Sequence, residues 1–346
     1  MPDMQMGGYG PLTWHVMLTT WHGNLVWDLL ILAALASYIL GLTRAHRMGT
    51  AGLPWYRVLS FLLGLAALVI GLNTAIETYS HVLFWVHMVQ HLLMIMVVPA
   101  LLVIGSPLTL LLQVTQGRTQ ERVRSVLLSA PVSFLTHPLV GLLLYSGVII
   151  GTHLTSFMEQ MMLHPWLHQT EHVLYLVAGY LFLLPLLGNE PIRWRPPYLV
   201  RLVLLFIAMA PETIVGIVLL QADHELFPAY AEIHRMWGPS PLQDLNRGGA
   251  IMWAFGDGLM MAFIVGVVLA YITHASTNAT AGSWLEGVRR STLADNLAAT
   301  GERAELDGAD LDDDEAALAA YNRMLGRLHD GSAGRSPTGG ETTTGR

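Results

Sequence analysis

These 346 residues contain no cysteine and no lysine, and they carry little charge of either sign. Without thiols there are no disulfides, no thiolate metal sites and no cysteine nucleophile. Any metal must be held by His, Met, Asp or Glu. Without lysine, arginine is the only strongly basic side chain, which we read as base composition rather than function. Charged residues make up 12% of the chain and hydrophobic residues 53%. A soluble domain carries about 25% charged residues, so a water-soluble fold of this length is excluded. There is no Gly-rich phosphate loop after a strand. No nucleophile appears with a base and an orienting group, and nothing points to nucleic acid.

What the chain does have is apolar length. Runs of about 20 apolar residues recur, enough for an α-helix to cross a bilayer. The pattern predicts an all-α, polytopic bundle of seven spans, near 25–42, 57–76, 83–104, 138–153, 170–188, 199–220 and 249–272. Pro99 and Gly105-Ser106-Pro107 lead us to expect that the third span kinks and re-enters. Gly248-Gly249 reads as tight packing at the start of the seventh. No cleavable leader is expected, because residues 1–24 lack a basic start.

Arginine placement orients the bundle. Arg44, Arg47, Arg57, Arg118, Arg122, Arg124, Arg193, Arg195, Arg201, Arg289 and Arg290 fall on one side, and only Arg235 and Arg247 on the other. The N-terminus is therefore expected outside and the C-terminus in the cytoplasm, a parity that agrees with seven spans. Three parts follow: an outer segment 1–24, a membrane domain 25–275 and a cytoplasmic tail 276–346. The tail carries an acidic block, Asp307, Asp310, Asp312, Asp313, Asp314 and Glu315, and ends rich in Gly, Ser, Thr and Pro. It reads as largely disordered, with a short surface helix over 316–329. It also supplies much of the net charge of -7.

Histidine shows the reverse bias. His15, His22, His81, His87, His91, His153, His164, His168, His172, His224 and His234 fall on the expected outer side or in outer halves of spans. Ionisable groups at such depth are costly and usually kept for a function. His87 and His91 stand at i, i+4 and share a helix face. At about 1.5 Å rise per residue they lie roughly 6 and 12 Å below the outer boundary. Met94 continues that face, and Met88 adjoins it. His168 and His172 form a second pair at the start of the fifth span, and His153 ends the fourth. Two helices each offering two imidazoles close one four-nitrogen site or two smaller ones. Imidazole suits copper, zinc, iron and nickel.

Thioether selects Cu(I). Met1, Met4 and Met6 lie in the outer segment, and Met158, Met161 and Met162 lie beside Glu159 and His164. Alone they read as gap-filling residues; beside histidine they favour copper. Glu212 and Asp257 are read as the in-span carboxylates, either neutralising a cation, relaying protons or bonding a neighbouring helix. Asp223, His224, Glu225 and Asp244 in the outer loop before the last span read either as entry ligands or as a solvated loop.

Taken together, these stretches resemble the caa3-type cytochrome c oxidase assembly factors, polytopic proteins of bacterial plasma membranes. The resemblance rests on His87-Met88-Val89-Gln90-His91-Leu92-Leu93 with Pro99, Gly105 and Pro107, and on His168 and His172 with Gly179 and Pro185. It also rests on Met209, Pro211 and Glu212, and on Asp244, Gly248, Gly249, Met252 and Trp253. It covers about residues 25–275. It implies a role in maturing a haem–copper oxidase, with copper delivered to the outer-facing centres of an oxidase subunit. His87, His91, His168, His172 and His153 would be ligands, and Met88, Met94, Glu212 and Asp257 accessory groups. Members fused to a copper-uptake domain exist; no such domain is expected in these residues. A membrane b-type cytochrome, with paired histidines holding haem, is the alternative. A copper transporter is a third reading, opposed by the few ligands in the inner halves of the spans.

Overall fold

A computed structural model of the chain describes residues 10–50, 52–278, 289–297 and 315–333. Met1, Met4, Met6, the acidic residues 307–314 and most of the Gly/Ser/Thr/Pro-rich end lie outside them. Among the described residues the fold is all-helical, with no strand beyond an isolated bridge between Trp21 and Thr74. Two compact units are present, Met1–Val268 and Leu269–Arg346. In the second, helices at 289–297 and Glu315–Ala333 bury Leu293, Leu297 and Ala320, and Arg289 lies over the Tyr321 ring.

Six helices are long and apolar enough to cross a membrane: Leu25–Arg47, Trp55–Asn73, Phe84–Val114, Pro165–Leu187, Tyr198–Leu220 and Pro241–Thr273. Pro138–His153 and Phe157–Leu163 form a bent pair at 67°. Counted as one, the pair makes seven segments, numbered here in chain order. Local chemistry explains where they start. Asn24 accepts from the Val26 and Trp27 amides, a side-chain cap. Asp28, in the first turn, also accepts from the Asn73 amide at 2.5 Å, tying the first segment to the second. Pro138 and Pro165 occupy first helical turns, where a missing N–H is no loss.

The first segment buries only one stripe, Trp27, Ile31, Tyr38, Gly41 and Ala45. Leu25, Leu29, Leu32 and Leu40 on its other faces are more than half exposed. Such an outward apolar surface suits hydrocarbon and not water.

The third segment treats its two expected breaks differently. The helix runs through Pro99 as far as Ile104 and is interrupted at Gly105-Ser106-Pro107, all within the 31-residue apolar stretch Phe84–Val114. A proline removes one helical hydrogen bond and crowds the carbonyl four residues back. Here Leu93–Val97 forms a wider π turn just ahead of Pro99 and absorbs that conflict. Gly179 of the fifth segment lies on the freed carbonyl: a Cβ there would overlap Ile95 O and stand 2.9 Å from Pro99 Cγ. The break comes at Ser106, whose φ of 54° is left-handed. Arg57 donates to Ser106 Oγ at 3.0 Å. The helix restarting at Pro107 is capped by Glu190, which accepts from Leu108 N, Thr109 N and Thr109 Oγ1 at 3.2, 2.8 and 2.6 Å.

Two further boundaries move. The fifth segment begins at Pro165 rather than 170, so His168 lies inside the helix, and the seventh begins at Pro241 rather than 249. Gly216 and Gly249 let the sixth and seventh segments touch: a Cβ on Gly249 would stand 2.7 Å from Gly216 O. The tight packing expected at Gly248-Gly249 is present.

Candidate metal centre

Four stretches of chain converge at one end of the bundle. The short helix Ala75–Ser80 brings Glu77, and His81 follows it. The first turns of the third segment bring His87, Gln90 and His91, and the end of Pro138–His153 brings His153. The start of the fifth brings His168, Glu171 and His172. Helical spacing brings each pair together as expected: ring centroids are 4.0 Å apart for His87–His91 and 4.3 Å for His168–His172, with the ring planes steeply inclined. His87 and His168 face each other across the gap at 5.6 Å, and His81 lies 4.4 Å from His168.

Two carboxylates fill the space between these rings. Glu171 Oε2 is 3.6 Å from His87 Nε2, and its Oε1 is 3.3 Å from His91 Nε2. Glu77 Oε1 is 3.7 Å from His168 Nδ1, and its Oε2 is 3.7 Å from His172 Nε2. Two triads each bring their ligand atoms within 4.8 Å of one another: Glu77, His168 and His172, and His87, His168 and Glu171.

Burial makes this arrangement informative. All the imidazoles of both pairs, His153 and Glu171 are buried. Yet both nitrogens of His87 and His172, Nε2 of His91 and of His168, and both oxygens of Glu171 lack a hydrogen-bond partner. A buried polar group left unpaired costs about 1–3 kcal/mol. A bound cation would satisfy these atoms together. Metal–ligand bonds of about 2.0–2.2 Å place tetrahedral ligand atoms about 3.4 Å apart, and the nitrogen–oxygen separations here bracket that edge. The residues present fit a metal ion.

His153 has another part. Its Nδ1 lies 2.9 Å from Ile149 O, an atom that only accepts, so Nδ1 carries the proton. In the neutral ring Nε2 then accepts, and it lies 3.2 Å from His91 Nδ1. His91 Nδ1 is thus the donor and its Nε2 lone pair faces Glu171. Thr152 Oγ1 and the Tyr175 hydroxyl also surround His153 Nδ1, and Tyr175 stacks on His91 at 4.2 Å. His153, expected as a ligand, here bonds the Ile149 carbonyl and His91.

Glu77 is held by amides. Gln90 Nε2 donates to it at 2.5 Å and to Gly71 O at 2.8 Å, and Gln169 bonds it too. Burial raises its pKa to about 7, with Gln90 and Gln169 pulling down and Glu171 pushing up. Burial also lowers that of His81.

The remaining expected residues lie elsewhere. Met88 packs against Gly248, and the Met94 methyl abuts Gly71. Glu212 is buried and accepts from the Tyr145 hydroxyl at 2.6 Å; half-buried Asp257 accepts from Thr213 at 2.9 and 3.1 Å. Both therefore bond a neighbouring helix. Asp244 caps the third segment through Phe84 N and Trp85 N and pairs with Arg235 at 2.9 Å. His224 and Asp223 pair with each other, exposed. A cleft of about 380 Å³ lined by Glu121, Arg124 and Arg195 shares no residue with the histidine cluster.

Glu77 and Glu171 escaped the sequence reading, which placed His81 on the outer side without a role. Glu212 and Asp257 are not the only acids in spans, since Asp28 and Glu171 lie in the first and fifth segments. The signal for Glu171 was present: it stands at i+3 from His168, on the shared face.

The family model for the cytochrome c oxidase caa3 assembly factor matches residues 36–274, which contain every residue of this cluster. The chain belongs to that family. As a member it is a multi-pass membrane protein whose family points to cytochrome c oxidase assembly. It is similar to an uncharacterized protein of Mycobacterium leprae, 28% identical over 299 residues, with 84% of this chain and 42% of that protein aligned. Uncharacterized proteins of Mycobacterium bovis and Mycobacterium tuberculosis are each 30% identical over 324 residues, 90% of this chain and 45% of theirs. The chain thus spans less than half the length of the curated relatives it matches. No solved structure matches it.

Proposed function

We propose that this assembly factor binds a copper ion in the buried histidine–carboxylate cluster and passes it to a haem–copper oxidase subunit. One observation carries the reading: a set of buried imidazole and carboxylate atoms without hydrogen-bond partners, spaced as ligands of one ion are spaced. His87, His91, His168 and His172 supply nitrogen, Glu77 and Glu171 supply oxygen, and His153 orients His91. The cargo is the metal, so no catalytic step is involved. The arginine distribution supports an outer location for this end of the bundle.

Carboxylate oxygen beside imidazole is a harder donor set than histidine with methionine, and it suits Cu(II) or zinc better than Cu(I). The haem alternative is disfavoured, because Glu77 and Glu171 occupy the space between the paired rings where a macrocycle would have to lie.

The test is the metal content of untagged protein, measured by mass spectrometry. Near-stoichiometric copper, lost when His87, His91, His168 and His172 are all replaced by Ala, supports the reading. Iron with a Soret band supports the cytochrome. In cells, His91→Ala and His172→Ala are each expected to lower oxidase activity with the protein still in the membrane; normal activity in both sinks the delivery role.

A further inference from the structure

We infer that the cluster holds one cation at two successive positions, an outer one made by Glu77, His168 and His172 and an inner one made by His87, His168 and Glu171. This rests on the metal-binding reading above and adds a route to it. Among the described residues the two triads are the two sets of three or more ligand atoms that lie within 4.8 Å of one another, and they have one residue in common, His168.

Three features separate the positions. The Glu77 side chain is 18% exposed, whereas Glu171 is fully enclosed and His168 is 1% exposed. Glu77 is therefore the carboxylate a hydrated ion meets first, and Glu171 the one that receives it stripped of water. Each position also has its own anion, so a divalent ion never sits in a wholly neutral ligand set at either place. The third feature is the shared ring. His168 Nδ1 lies 3.7 Å from Glu77 Oε1, and its Nε2 is buried without a partner. A neutral ring offers one lone pair at a time, so His168 serves one position or the other, its ring proton passing between Nε2 and Nδ1 through solvent at the hand-over, while Glu77 and His172 and then His87 and Glu171 keep the ion on protein ligands.

The supports are arranged to match. Gln90 and Gln169 hold Glu77 in place, so the outer carboxylate does not swing inward with the ion. On the inner side, the Ile149 O–His153–His91 series leaves a lone pair on His91 Nε2, 3.3 Å from Glu171 Oε1. The inner position thus gains a fourth ligand that the outer one lacks. Ions are expected to be held more tightly at the inner position and to exchange faster at the outer.

The experiment uses the full chain in detergent with Cu(II) as probe, read by electron paramagnetic resonance and by transfer to a chelator. In wild-type protein mixed with Cu(II) and frozen at increasing times, an early signal should give way to a later one. Glu171→Gln should keep the early signal alone and release copper about tenfold faster or more. Glu77→Gln should reach the late signal but load about tenfold more slowly or worse. One unchanging signal in the wild type, or loss of copper from both variants alike, overturns the two-position route while leaving a metal site. Should either variant fail to fold, the wild-type time course decides alone. No copper bound to the wild type removes the site and this route with it.

Discussion

Glu190 and Glu171 are both buried carboxylates of one bundle, and their surroundings differ completely. Glu190 takes two backbone amides and a hydroxyl at the start of the Pro107–Val114 helix, where the dipole also favours an anion. Glu171 is flanked by imidazoles at 3.3 and 3.6 Å and makes no hydrogen bond. Glu212 stands between them, one oxygen taken by Tyr145 and the other unpaired. A buried acid whose valences are filled by the fold belongs to the fold. One whose oxygens lack partners is not accounted for by the fold.

That contrast can be broken in several places. The largest effect is expected at Glu190: Glu190→Ala should lower unfolding stability by about 3 kcal/mol, read as a drop in thermal midpoint in detergent, with copper binding unchanged. If copper is lost as well, the two ends are not independent. Next is the ligand itself. Copper at 100 times its dissociation constant should stabilise the wild type and Glu190→Ala alike by about 2.7 kcal/mol, and should do nothing for the variant lacking the four paired histidines. Tyr145→Phe removes one hydrogen bond between membrane segments and should cost about 0.6 kcal/mol, again without touching copper retention. The smallest change in stability is expected where the functional change is greatest. Glu171→Gln should leave the thermal midpoint of the metal-free protein level or slightly raised, because it removes a desolvated charge that nothing in the fold pairs. A clear drop would mean that Glu171 is structural after all.

Much of the scaffold was readable from residue order because membrane crossing is a one-dimensional demand. Twenty apolar residues must follow one another, and the i, i+4 histidines share a face whatever surrounds them. The tight crossing at Gly248-Gly249 was legible for the same reason, since small side chains are what close helix contact requires. The passage of the third segment through Pro99 was not legible, whereas its break at Gly105-Ser106-Pro107 was. Pro99 argues for a break, and only the π turn ahead of it, with Gly179 from another helix, shows how the conflict is resolved. The carboxylates were hidden differently. Glu77 falls just past the second segment and looks like a surface residue, and nothing nearby in sequence reveals that Gln90 and Gln169 will fold over it. Glu171 lies between two histidines, and residue order does not show that its oxygens are left without hydrogen-bond partners. Nor does residue order show that His153 bonds His91 and the Ile149 carbonyl.

The bond from His153 to Ile149 has a consequence for how this protein can vary over time. The acceptor is a peptide oxygen, so exchanging the side chain at position 149 for another apolar one leaves it in place. Alanine scanning would pass over position 149, and a comparison of homologous chains would record only that something greasy is tolerated there. The instruction that decides which nitrogen of His91 is left bare is carried by the main chain, which every variant inherits so long as the helix forms.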